Sequence, residues 1–138
     1  MITDGSTARD LTIPLLRVEG LAAFVASLVL WAVVGGNLLV FLPLLLVPDI
    51  SMIGYLRGPA TGALTYNIVH NWAVGLVVLG IGWWFASTPI LLAGIVLLGH
   101  VGMDRGMGYG LKRPTGFGDT HLGRIGRQRD RSGQDEPA

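Results

Sequence analysis

There is no cysteine in this chain, which excludes a disulfide scaffold, a thiolate zinc site, an iron–sulfur cluster and a cysteine nucleophile. Any metal would have to be held by histidine and oxygen. Charge is scarce too: 14% of the 138 residues are Asp, Glu, Lys or Arg, against 51% hydrophobic. The scarcity is uneven, because Gly20 to Pro48 and Gly58 to Met103, blocks of 29 and 46 residues, contain no charged side chain at all. Uncharged apolar blocks of that length belong to a membrane rather than to the core of a soluble domain.

A helix rises about 1.5 Å per residue and the hydrocarbon core is about 30 Å thick, so about 20 residues make a span. The longer block therefore holds two spans, near Leu64 to Phe85 and Pro89 to Met103, separated at Ser87-Thr88-Pro89. In the shorter block Gly35-Gly36-Asn37 reads as a tight turn, which gives helices near Pro14 to Val34 and Asn37 to Met52. That hairpin is expected to pack through small residues such as Ala23, Ala26 and Ala32. Four spans put all ten Lys and Arg on one side, whereas a single span through the first block would set Arg57 opposite Arg9 and Arg17. The positive-inside rule thus predicts an all-α, four-helix transmembrane bundle in the inner (plasma) membrane with both termini cytoplasmic. Trp83 and Trp84 then fall at the outer interface.

Met1 to Asp10 is polar and no small-residue cleavage site follows a short apolar region, so no removable signal peptide is expected. One membrane domain over 1–123 and a polar, disordered cytoplasmic tail over 124–138 complete the organisation. The tail's arginines would meet anionic headgroups.

Few polar side chains interrupt the spans, and ionisable ones there are functional candidates by default. His70 lies early in the third helix with Tyr66, Asn67 and Asn71 around it. His100 and Asp104, four apart, share one face of the fourth. Asp49 closes the second beside Pro48. The topology brings Asp49, His70, His100 and Asp104 into one layer in the cytoplasmic half, where two imidazoles and two carboxylates could bind zinc, manganese or iron. Tyr66 and the asparagines would orient the rings. The alternative is that the histidines are hydrogen-bonded packing residues and that Asp104-Arg105 caps a helix end.

The stretch from Asp104 to Gly123 holds six glycines. It is no phosphate loop, since Gly110-Leu111-Lys112 lacks the Gly-Lys-Ser/Thr ending and no strand is expected to lead into it. An ordered segment lying against the bundle is expected instead, anchored by Tyr109, Leu111 and Phe117, with His121 either folded back as a third imidazole or left in solvent.

Several words in the chain carry a resemblance: Pro48-Asp49-Ile50-Ser51, Gly54-Tyr55-Leu56, Tyr66-Asn67 with His70, His100-Val101-Gly102-Met103-Asp104-Arg105, Gly108-Tyr109-Gly110-Leu111-Lys112, Phe117 and Thr120-His121-Leu122-Gly123. Over about Arg17 to Arg124 the sequence resembles domain-of-unknown-function family 4260, small four-helix integral membrane proteins. That family usually has Lys-Tyr-Pro where this chain has Lys112-Arg113-Pro114. The resemblance implies the fold and no activity. The order of Pro-Asp, mid-helix His and a His/Asp pair is more loosely similar to inner-membrane metal-dependent hydrolases related to zinc phospholipases, which commonly have an aspartate where Ser51 stands.

Three functions compete. The first is a divalent-metal hydrolase acting on a lipid-linked or phospho-headgroup substrate at the cytoplasmic interface, with Asp104 or Asp49 as ligand or base and Arg105 and Lys112 on a phosphate. The second is a haem-binding electron-transfer bundle using His70 and His100 as axial ligands. The third is a non-catalytic transport or accessory protein, which as a transporter would need to form a homo-oligomer. The bilayer is the common partner, and none of the three involves nucleic acid.

Overall fold

The computed structural model describes residues 11–125. The expected polar start of the chain lies outside the described residues, and so does the expected tail apart from its first two residues. The fold is mostly helical: α1 (Thr12–Val33), α2 (Leu38–Leu44), a 3₁₀ segment (Pro48–Arg57), α3 (Pro59–Val69), α4 (Trp72–Trp84) and α5 (Thr88–Met107). A three-stranded antiparallel sheet follows, β1 (Lys112–Arg113), β2 (Gly116–Thr120) and β3 (Gly123–Arg124), in the order β1-β2-β3. The all-α expectation is corrected by this sheet, which also takes Arg124 out of the expected tail.

The expected turn is present. Gly35 has φ +86°, and the Asn37 side chain caps α2 by accepting from the Leu39 amide at 2.8 Å. The second helix is real but broken, because Pro43 and Pro48 withhold amide donors and the chain tightens into a 3₁₀ segment. The third begins earlier than expected, at Pro59, and breaks at His70-Asn71, where the Asn71 side chain caps α4 through the Ala73 amide at 2.8 Å. His70 is therefore the last residue of α3's end, not an early residue of a straight helix. The bend between α3 and α4 is 41°. α5 runs one turn beyond Met103 and stops at Gly108, whose φ of +91° suits a left-handed cap.

Thr12–Val33, Leu38–Arg57 and Thr88–Met107 are each long and apolar enough to cross a membrane, and α3 with α4 passes the same test as one bent pair. Their outward faces are apolar, with Val33 and Leu39 more than three-quarters exposed, as suits a surface solvated by lipid. The chain is a membrane protein on this ground.

α5 is the hub. α1 lies along one side of it and α4 along the other. A methyl placed on Gly20 would stand 2.5 Å from the Arg105 Cβ and 2.7 Å from the Gly106 amide, and one on Gly102 would stand 2.7 Å from the Phe24 amide. Backbones meet there, which only glycine permits. The expected tight α1–α2 hairpin is not formed: α1 touches α2 only slightly, Ala26 and Ala32 are exposed, and Gly20, Ala23 and Ser27 meet the glycines of α5 instead. An apolar knot of Trp31, Phe41, Leu45, Ile95 and Val96 fills the space between these helices.

The 3₁₀ segment packs on α3. The Thr65 hydroxyl donates to the Ser51 carbonyl at 2.9 Å, and Gly62 lies under the Tyr55 ring. This contact brings Asp49 against the end of α3, while the sheet covers α3 from the other side.

Candidate metal centre

Pro48 does more than stiffen the chain. In a 3₁₀ turn its amide would bond the carbonyl of Leu45, but proline has none to give. The Leu45 carbonyl is thus free, and it accepts from His100 Nδ1. His70 Nδ1 donates in the same way to the Tyr66 carbonyl at 2.9 Å. A carbonyl only accepts, so both rings carry a proton on Nδ1, and each ring in its neutral form presents a bare Nε2 lone pair.

Those lone pairs face each other at 2.8 Å. Two acceptors at that separation repel unless a cation lies among them, either a proton shared between the rings or a metal ion. The carboxylates are arranged to the same end. Asp49 Oδ1 is 3.4 Å from His70 Nε2 and 3.5 Å from His100 Nε2. Asp104 Oδ2 is 3.8 Å and 3.6 Å from the same two atoms. Ligands bound at about 2.0 to 2.2 Å in a tetrahedron stand about 3.3 to 3.6 Å apart; the carboxylate–imidazole separations overlap the upper part of that range, and the two Nε2 atoms at 2.8 Å would have to part slightly to admit an ion. Asp49, His70 and His100 each offer a ligand atom within 4.8 Å of the others, so this trio could hold a metal ion, with Asp104 beside it.

The surroundings fix the acceptors in place. The Tyr66 hydroxyl donates to Asp104 Oδ2 at 2.6 Å, and its ring stacks on His70 with centroids 3.5 Å apart. Both imidazoles are almost wholly buried, whereas the Asp49 side chain is 32% exposed. The cluster is therefore reached from the Asp49 side.

A family model, Domain of unknown function (DUF4260), matches residues 14–125. The chain belongs to that family. No curated protein and no solved structure matches it. The matched range of this DUF4260 member takes in every residue of the cluster and the sheet as well.

Two expected site residues stand elsewhere. His121 does not fold back to the cluster: its Nδ1 accepts from the Leu111 amide at 2.8 Å, and it lines a separate cavity with Arg105, Glu19 and Trp72. Arg105 turns to the Tyr109 carbonyl at 3.1 Å and makes no ion pair with Asp104 or Asp49 among the described residues. The asparagines do not touch the imidazoles either. Asn71 caps α4, and Asn67 binds the peptide of Lys112 from both sides, accepting from its N–H at 2.7 Å and donating to its carbonyl at 2.8 Å.

What the sequence reading missed is the backbone. The Leu45 and Tyr66 carbonyls set both tautomers, and only Pro48 leaves a trace of this in the sequence, as a proline three residues after Leu45.

Proposed function

We propose that this DUF4260 member is a four-span protein of the plasma membrane, both termini cytoplasmic, whose Asp49, His70, His100 and Asp104 hold one divalent ion for hydrolysis of a membrane-resident substrate. The observation that carries the reading is the pair of Nε2 atoms 2.8 Å apart with carboxylate oxygens of Asp49 and Asp104 beside them, an arrangement that calls for a cation. Two imidazoles and two carboxylates suit zinc, manganese or iron. Such an ion supplies a Lewis acid and lowers the pKa of a bound water.

The chain's own residues would divide the remaining work. Asp104, tethered by Tyr66, keeps its place. Asp49, the accessible carboxylate, is the group able to take a proton from an attacking water. A cleft of about 880 Å³, lined by Trp31, Val40, Leu44, Val96 and the chain neighbours of Asp49, Pro48 and Ile50, but not by Asp49 itself, suits the apolar part of a lipid-linked substrate.

A haem held by His70 and His100 is less well served, since axial ligands stand on opposite faces of a porphyrin and these Nε2 atoms are separated by less than a ring's thickness. Elemental analysis of protein purified in detergent tests the proposal. About one equivalent of zinc, manganese or iron supports it, a Soret band turns the reading to haem, and neither leaves a structural membrane protein. Reporter fusions at Gly36, Arg57, Ser87 and the C-terminus test the topology, and a cytoplasmic signal from Ser87 would break it.

A further inference from the structure

The metal cluster consists of acceptors, but the space beyond Tyr66 contains donors with nothing to give to. Lys112 is only 6% exposed. Its ammonium has no hydrogen-bond acceptor or ion-pair partner among the described residues, and lies instead against three rings: 4.1 Å from the centroid of Phe117, 5.1 Å from Tyr66 and 6.0 Å from Tyr109. The Tyr55 hydroxyl is buried with no partner either, and the Tyr55 ring meets Phe117 edge-on at 5.3 Å. The Lys112 ammonium and the ring of Tyr55 therefore both meet Phe117.

The stem of Lys112 is packed among rings while its nitrogen keeps a little contact with water, and cation–π contacts answer only part of what an ammonium can donate. Burial lowers the Lys112 pKa, while the charges of Asp104 and Asp49 act in the opposite sense; the ammonium is thus within electrostatic range of the cluster. The lysine is also held on purpose, since Asn67 grips both sides of its peptide. Arg105, bound to the Tyr109 carbonyl, does not share this space.

We propose that Lys112 and Tyr55 form an anion subsite that takes the phosphate group of the substrate, beside the ion-binding cluster. The assignment of this anion to a substrate rests on the proposed metal-dependent hydrolysis, whereas the subsite itself stands on the two unpartnered donors. A phosphate is favoured over a carboxylate because its three or more oxygens can meet the ammonium, the hydroxyl and a cation at once. Phe117, itself half exposed, forms one wall of the subsite and leaves it open to an anion arriving from outside.

The test is isothermal titration of the full chain in detergent micelles with inorganic phosphate, acetate, and short-chain phosphatidic acid in mixed micelles, metal content being measured in parallel. Lys112→Met is expected to weaken phosphate or phosphatidic acid binding at least about tenfold with metal content unchanged, Tyr55→Phe to weaken it less, and Lys112→Arg to restore part of it. Binding of phosphatidic acid alone identifies a lipid headgroup, and binding of inorganic phosphate alone a soluble ester; both support the subsite. Should Lys112→Met misfold, the Tyr55→Phe and Lys112→Arg variants carry the test. Phosphate affinity unchanged in folded Lys112 and Tyr55 variants, acetate binding as tightly as phosphate, or no anion binding by the wild type would each overturn the proposal. Lys112-dependent phosphate binding in a protein that holds no metal would support the subsite and sink the metal reading instead.

Discussion

Two polar regions of this molecule are built from the same residue types and differ in how their partners are shared out. On the sheet, Asp119 accepts from Thr115 at 2.7 Å and from Arg124 at 3.1 Å, and His121 accepts from the Leu111 amide: every acid and imidazole has a donor of its own. At the centre of the helices, Asp49, His70 and His100 have acceptors facing acceptors, and only Asp104 receives a donor, from Tyr66. A polar group in contact with water can settle its needs locally, whereas a buried one without a complementary neighbour must answer to something from outside. The inner group is therefore the one that could hold a metal ion.

The contrast breaks or sharpens under four substitutions or conditions. The largest effect is expected from His100→Ala, which removes one lone pair and should reduce bound metal to background by elemental analysis; unchanged metal content would end the distinction between the two regions. Tyr66→Phe comes next. It frees Asp104 without touching a ligand, and an outer-shell partner of this kind typically costs about 10- to 100-fold in metal affinity, measurable by competition with a chelating dye.

On the sheet the effects should be smaller and should follow pH rather than metal. Partial burial and the nearby Arg105 hold the His121 pKa below its ordinary value of 6.5, so folding favours the neutral ring that the Leu111 amide requires. Its contribution is whole above pH 6.5 and is lost as the pH falls through that value toward the folded pKa. The protection of the Leu111 amide, its exchange rate relative to that of an unstructured amide at the same pH, should fall as the pH drops below about 6.5, where an ordinary imidazole gains its proton, and His121→Gln should flatten the change. Asp119→Asn is expected to do least. Hydrogen bonds from Thr115 and Arg124 hold its pKa below the usual carboxylate range, which is a benefit present above pH 3.8 and lost only in stronger acid. Because the pair is exposed, the melting temperature at neutral pH should move by no more than about 2 °C.

How much of this was readable from residues alone depends on which part of the chain carries the information. Side chains with a fixed spacing were legible: His100 and Asp104 share a face because they are four apart on a helix, and Asp49 is in the layer because Pro48 places it. Gly35-Gly36-Asn37 announced its turn for the same reason. The break at His70-Asn71 did not show, since Ile68, Val69, Trp72 and Ala73 keep the apolar run unbroken across it and hydropathy does not register a cap. Nor did the pairing of α1 with α5, because in a bilayer the lipid-facing and protein-facing sides are equally apolar and leave no stripe to read. The strands at Lys112–Arg113 and Gly123–Arg124 are too short to show an alternation. The place of Lys112 among three rings was not legible, because Tyr66, Tyr109 and Phe117 come together only through the sheet's packing on α3.

The grip of Asn67 on the Lys112 peptide ties together parts of the chain that are far apart in sequence. Tyr66, Asn67 and His70 occupy one turn at the end of α3, so any swing of α3 about the break at Asn71 would carry an imidazole, its stacked ring and a distant ammonium as a single rigid body. His100 and Asp104 belong to α5 and would stay behind. Mechanically the centre then has one seam, between the two histidines and across the Tyr66–Asp104 bond, and its integrity depends on how two separate helices are held rather than on any one of them.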